Sequence, residues 1–195
     1  MPYLILFWLI HAPPPLPALA VDPEYAGPYF GLGATYGRLG RQDDAIEAYK
    51  KGLQRSRGSD EATCELGKAL LDCKRYAEAL TVFERVAEAT PQDVQVKLGL
   101  ARAYDARGRR DEAMRACKEA IRLDPACSEA HYELGRWAAD AGRYEEALEA
   151  FEATIRLKPD HALAYAGKGR VHREFDEPEK ALIAYEAARR VSPDC

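Results

Sequence analysis

Apolar residues recur along this chain with a period that sets its organisation. Within residues 128–161, His131, Leu134, Gly135 and Ala138 fall at i, i+3, i+4 and i+7, the spacing of one buried stripe on an α-helix. Tyr144, Ala147, Leu148, Phe151 and Ile155 repeat that pattern further on. The stripes predict helices over about 129–141 and about 144–157, with Gly142 at the turn and Pro159 closing the unit. Two amphipathic helices this short bury too little surface to stand alone, so the unit needs neighbours of its own kind.

Those neighbours lie 34 residues away on either side. Stepping from Ala147 reaches Ala45, Ala79, Ala113 and Ala181, an unbroken alanine column. From Gly135 the step gives Gly33, Gly67, Ala101 and Gly169, and from Leu134 it gives Leu32, Leu66, Leu100 and then Lys168. The Phe151 column holds Tyr49, Phe83, Cys117 and Tyr185, and the Pro159 column holds Arg57, Pro91, Pro125 and Pro193. Five units follow, at 26–59, 60–93, 94–127, 128–161 and 162–195. A small residue in the first helix facing Ala in the second lets two backbones approach, large apolar residues fill the flanks, and the proline ends the second helix. A leucine at Ala147 is expected to overpack that contact by about 1–3 kcal/mol.

A 34-residue period with Leu-Gly, Ala, an aromatic and Pro at these spacings resembles the tetratricopeptide repeat, over residues 26–195. The resemblance implies an all-α, right-handed superhelix of five helix–turn–helix repeats. It also implies that the first helices line a concave groove that takes up an extended peptide or a partner's helix.

Composition changes this picture little. A net charge of −4, with charged residues making up 31% of the chain and interspersed along the helices, describes solvated faces and lacks the basic footprint of a nucleic-acid binder. The cysteines, Cys64, Cys73, Cys117, Cys127 and Cys195, form no C-x-x-C pair. Cys117 falls in the aromatic column as a small core residue, and the thiols argue weakly for a reducing, cytoplasmic setting.

Residues 1–25 stand outside the array. Their apolar run, Tyr3 to Ile10, is far shorter than the roughly 20 residues that span a bilayer. One reading is a signal peptide with a cleavage site at Ala18-Leu19-Ala20, which would export the chain. No Lys or Arg precedes the run, however, and Pro13, Pro14, Pro15 and Pro17 crowd it, which favours a tail or the remnant of an earlier repeat.

Unit one is rich in glycine (Gly27, Gly31, Gly33 and Gly37), which reads either as erosion or as a surface where a partner approaches the backbone. In unit five, Phe175-Asp176 replaces the turn glycine, and Asp176, Pro178 and Glu179 together read as a capped helix start. Leu182, Tyr185 and Val191 leave its second helix apolar with no unit after it, so this end is expected to belong to a longer array, to pack on another chain, or to be polar enough overall to need no cap.

The candidate site follows from the resemblance. Lys68, Arg102, Arg136 and Arg170 share one column on the first helices, with Phe30, Cys64, Leu71, Leu98 and Tyr132 around them. On a groove, that set suits an extended acidic segment carrying apolar side chains. The competing reading pairs each base on its own helix, as Lys68–Asp72, Arg136–Asp140, Arg170–Glu174 and Arg102–Asp105, at about 0.2–0.5 kcal/mol each. Chaperone-tail-binding members of the family use a clamp of Lys, Asn and Arg; this chain has no asparagine, so the usual clamp is absent.

No phosphate-binding Gly-rich loop, H-E-x-x-H or G-x-S-x-G occurs, so neither catalytic residues nor a cofactor or metal are expected. Of the histidines, His131 and His172 lie in stripe columns and His161 in an inter-unit turn. The expected function is protein–protein interaction as a scaffold or adaptor. The alternatives are a self-association module or the targeting array of a larger enzyme or complex.

Overall fold

The computed structural model describes residues 26–55 and 60–192. The expectations for residues 1–25, Arg57, Pro193 and Cys195 lie outside them. The described residues form ten α-helices in five antiparallel pairs: α1 (Gly27–Arg38) with α2 (Gln42–Arg55), α3 (Asp60–Asp72) with α4 (Tyr76–Ala89), α5 (Val94–Ala106) with α6 (Arg110–Leu123), α7 (Ser128–Asp140) with α8 (Tyr144–Leu157), and α9 (Ala162–Glu174) with α10 (Pro178–Val191). Each second helix packs on its own first helix and on the next unit's first helix, and first helices also touch their neighbours, as α3 does α5 and α7 does α9. The result is an all-α solenoid, as expected.

One turn design closes all five pairs. The backbone N–H groups of Arg41, Arg75, Arg109, Arg143 and Glu177 donate to the carbonyls of Tyr36, Leu70, Tyr104, Ala138 and His172, at 2.8–3.0 Å. That is the six-to-one bond of a Schellman ending, which puts the preceding residue in the left-handed region. Gly40, Gly108 and Gly142 hold it at φ 71°, 75° and 74°. Lys74 and Asp176 hold it at φ 59° and 57°, so losing the glycine did not lose the turn. This corrects the expected role of Asp176: it is the left-handed turn residue, α10 begins after Glu177 with Pro178 in its first turn, and no side chain caps it.

The second helices start on a recurring ion pair rather than a side-chain cap. Arg41–Asp44, Arg75–Glu78, Arg109–Glu112 and Arg143–Glu146 approach to 2.5–2.9 Å, and unit five inverts the signs with Glu177–Lys180 at 2.8 Å. The acids lie in the first helical turn, where the helix dipole favours them. At the other end, the residues before proline leave the helical region, as proline forces them to: Asp124 is extended, Thr90 and Lys158 lie near it, and the three stop α4, α6 and α8.

The core is one continuous strip. Ala45, Ala79, Ala113 and Ala147 are fully buried. The glycine column serves a purpose beyond close backbone approach, because it admits a ring. A Cβ placed on Gly33, Gly67, Gly135 or Gly169 would lie 2.6–2.9 Å from the ring of Tyr49, Phe83, Phe151 or Tyr185 in the same unit. Phe83 and Phe151 are also seated against a second glycine, Gly99 or Gly167 of the following unit. Each is therefore held between two bare stretches of helix and joins two units. Among the described residues, no helix is long and apolar enough to cross a membrane.

Candidate functional site

The basic column lies on the face formed by the first helices, but it is not a row of open cations. Lys68 binds Glu65 at 2.8 Å. Arg102 pairs with Glu129 and sits 3.9 Å from Glu133. Arg136 reaches Glu133 at 2.8 Å and Asp105, one unit back, at 3.1 Å, and Arg170 reaches Asp140, also one unit back, at 2.9 Å. The pairing expected within each helix is corrected by these contacts. The acids used lie three residues earlier on the same helix or on a neighbouring unit, and Asp72 instead accepts from Gln42 at 3.4 Å.

Electrostatics agree with this reading. At Arg136 burial works against the charge, but Glu133 and Asp105 outweigh it and hold the guanidinium charged more firmly than usual. Its plane also lies 5.2 Å from the centre of the Trp137 ring. From α5 to α9 this face is a lattice of matched charges that ties units together.

The apolar members divide. Cys64 and Leu98 are corrected out of the site: Cys64 is buried with Val86 and Val96, and Leu98 is part of the main core. Phe30 and Tyr132 share their column, so the burial belongs to these two positions and not to the column. Phe30 and Leu71 are half-buried against the core, with the Phe30 ring lying over Gly52. Tyr132 is half-buried between Phe151 and His161, at ring-centre distances of 6.2 and 4.6 Å, and burial raises its hydroxyl pKa.

Among the histidines, His172 is buried on Glu177 at 2.7 Å, as its stripe position implies. His131 is only half-buried, with Nε2 3.1 Å from the Pro125 carbonyl. In the turn, His161 Nδ1 accepts from the Ala164 N–H and caps α9.

At the other end of this face lies an open cleft that the repeat columns do not mark. Ala34, Gly37 and Arg38 of α1 and Lys68, Ala69 and Asp72 of α3 enclose about 380 Å³ over a floor of Ala45 and Tyr49. Gly37 leaves the wall low, since the nearest atom to a Cβ there would be Gln42 Oε1 at 3.9 Å. Burial, and then Glu65, raise the Tyr49 hydroxyl pKa, so the floor stays neutral. Arg38 stands in the column where Asp72, Asp140 and Glu174 stand, and it has no ion pair among the described residues. The signal was legible as that single reversal of sign.

Comparison with known proteins matches a family model described as tetratricopeptide repeat to residues 38–97 and 70–136, and a second of the same description to 132–194. A TPR repeat-containing thioredoxin, TTL4, of Arabidopsis thaliana is 39% identical over 59 residues, which are 30% of this chain and 9% of that protein. An uncharacterized protein, y4yS, of Sinorhizobium fredii is 31% identical over 125 residues, which are 60% of this chain and 69% of that one. Several matched proteins are far longer than this chain, which spans about a tenth of them. Among solved structures, MamA superposes with a TM-score of 0.75 at 25% identity, covering 83% of this chain and 95% of that one. YrrB, described as a TPR protein with an unusual peptide-binding site, superposes with a TM-score of 0.70 at 24% identity, covering 91% of each chain.

Proposed function

The chain belongs to the tetratricopeptide-repeat family, and from that premise we propose that it is a protein–protein interaction scaffold that holds an extended, carboxylate-bearing segment of a partner in the cleft between α1 and α3. The carrying observation is the cation Arg38, with Lys68, on one cleft above Ala45 and Tyr49; the acids that share the lining are Glu65, which pairs with Lys68, and Asp72, which accepts from Gln42. Arg38 has no acid partner among the described residues, and the ion pair of Lys68 is an exposed one three residues away on its own helix. Such a pair contributes little, so a partner carboxylate displaces it at small cost. Arg102, Arg136 and Arg170 contribute less to binding in this reading, because a ligand there has to break pairs that also join units. Their role is to keep the face rigid.

Selecting peptides from a displayed random library on the full chain tests this. Selected peptides should be rich in Asp and Glu and should lose at least about tenfold in affinity, about 1.4 kcal/mol, on the Arg38→Glu/Lys68→Glu variant. The Arg102→Glu/Arg136→Glu variant should retain them more nearly. Peptides with no acidic enrichment, or equal binding to the cleft variant, would refute the cleft as the site.

A second reading, that the array targets a larger protein's activity, is favoured by one observation. The matched segments make up 9% of a plant thioredoxin and 11% of the human O-mannosyl-transferase TMTC1.

A further inference from the structure

Inside the array, two of the four junctions between units share one device, while Glu65 and Glu133 hold the glycine position at the other two. The aromatic of a second helix enters a gap left by a glycine on the next first helix, as Phe83 does at Gly99 and Phe151 at Gly167. The same columns appear uncovered at both ends of the described array. Gly31 of α1 is the column equivalent of Gly99 and Gly167, yet among the described residues nothing lies within 4 Å of where its Cβ would be. Beside it on the same stripe, Thr35 is exposed where Ala69, Ala103, Trp137 and Val171 are buried. The Thr35 hydroxyl donates back to the Gly31 carbonyl at 2.8 Å, so its polar group is satisfied within the helix.

At the other end, Tyr185 of α10 occupies the column of Phe83 and Phe151 and is 37% exposed, against 0% and 2% for those two. Leu182 is 60% exposed where Ile46, Leu80 and Met114 are 1%, 7% and 2%. Arg189 stands where Leu53, Ala87, Ile121 and Ile155 are half-buried, which gives this face a polar edge.

We propose that α10 of one copy packs against α1 of a second copy, head to tail, with Tyr185 over Gly31 in the register that Phe83–Gly99 and Phe151–Gly167 use within the chain. This goes beyond the cleft reading and does not depend on it. One inner junction carries a second feature whose residue types recur at the two ends. The Tyr104 hydroxyl donates to Glu84 at 3.3 Å across units two and three, and Tyr36 and Glu186 hold the corresponding positions at the two ends. An aromatic knob at one end and a glycine gap at the other make the contact heterologous, so it propagates as an open chain of copies unless the rotation closes a ring.

Sedimentation velocity of the 195-residue chain across a wide concentration range tests this. The wild-type mass should grow with concentration beyond two copies. Gly31→Arg places a side chain where no other described residue lies, on a helix that prefers it to glycine, so the variant should keep the wild-type circular dichroism and melting while losing association at least tenfold. Leu182→Glu, altering a side chain already exposed, should do the same. An equimolar mixture of the two variants retains one good α1 face and one good α10 face, and should form a two-copy species and nothing larger. A wild type that stays monomeric throughout overturns the proposal. So do a Gly31→Arg chain that associates like wild type and a mixture that stays monomeric.

Discussion

Phe83 offers the sharpest test of how this array holds together. Its ring is fully buried, with Gly67 of its own unit on one side and Gly99 of the next on the other. Removing a buried phenylalanine side chain costs about 3–5 kcal/mol, depending on how far the surroundings collapse into the space. The upper half of that range is expected for Phe83→Ala, because both glycine walls are bare helix backbone with no side chain to swing inward. The loss should also be local. In a solenoid, stability is a sum of unit terms and nearest-neighbour junction terms, and this ring contributes to unit two and to the junction between units two and three.

The assay uses guanidinium unfolding read by two probes. Far-UV circular dichroism reports the whole chain. Fluorescence reports unit four alone, since Trp137 in α7 is fully buried and Trp8→Phe removes the other of the two tryptophans. In Phe83→Ala the dichroism should begin to fall at lower denaturant while the Trp137 transition moves much less. Phe151→Ala, which empties the slot between Gly135 and Gly167 beside Trp137, should move the fluorescence transition first. A loss in Phe83→Ala below about 1 kcal/mol, a fraction of the core-phenylalanine range, would refute the slot argument. Equal shifts of both probes would refute the local one.

Two smaller effects follow from the turns. A non-glycine residue in the left-handed region costs about 1–2 kcal/mol, and a new glycine gives back about 0.4–1 kcal/mol through the unfolded chain, so Lys74→Gly should stabilise by about 0–1.6 kcal/mol. Asp176→Gly should gain less, because aspartate tolerates that conformation better; denaturation midpoints of the two variants check the order. For pH, hydrogen bonds from Arg75, Arg109 and Lys180 lead in holding Glu78, Glu112 and Glu177 below the ordinary glutamate value, with His172 adding to the last. Folded values below the unfolded one mean that this stability is present above the unfolded pKa, near 4.3, and is lost as pH falls through the folded values. The melting temperature should therefore fall on acidification below that point, and less steeply in Arg75→Gln. A melting temperature that rises on acidification would contradict the sign.

Periodicity alone determined the number of units, the helix pairs, the alanine column and the aromatic column, because each depends only on which residues share a helical face. α8 runs over the expected 144–157, and α7, at Ser128–Asp140, differs by one residue at each end. The turns were half legible. Glycine marks three of the five left-handed positions, but Lys74 and Asp176 carry no sequence signal for a backbone angle that the Schellman bonds impose.

The candidate site was the least legible. Its column was correct as a column, and the tertiary structure decided what the column touches. Neighbouring first helices touch, so Arg136 meets Asp105 and Arg170 meets Asp140 across units, and a charge ladder becomes a set of bonds between repeats. The same stacking buries Cys64 and Leu98 but leaves Phe30 and Tyr132, in the same column, half-buried. It leaves Arg38 and Lys68 over an open cleft where α1, short of side chains at Gly37, stands back from α3. A single sequence carries the face on which each residue lies. Which faces close on one another, and which stay open, depends on the packing angle between units, and that angle exists only once the repeats are stacked.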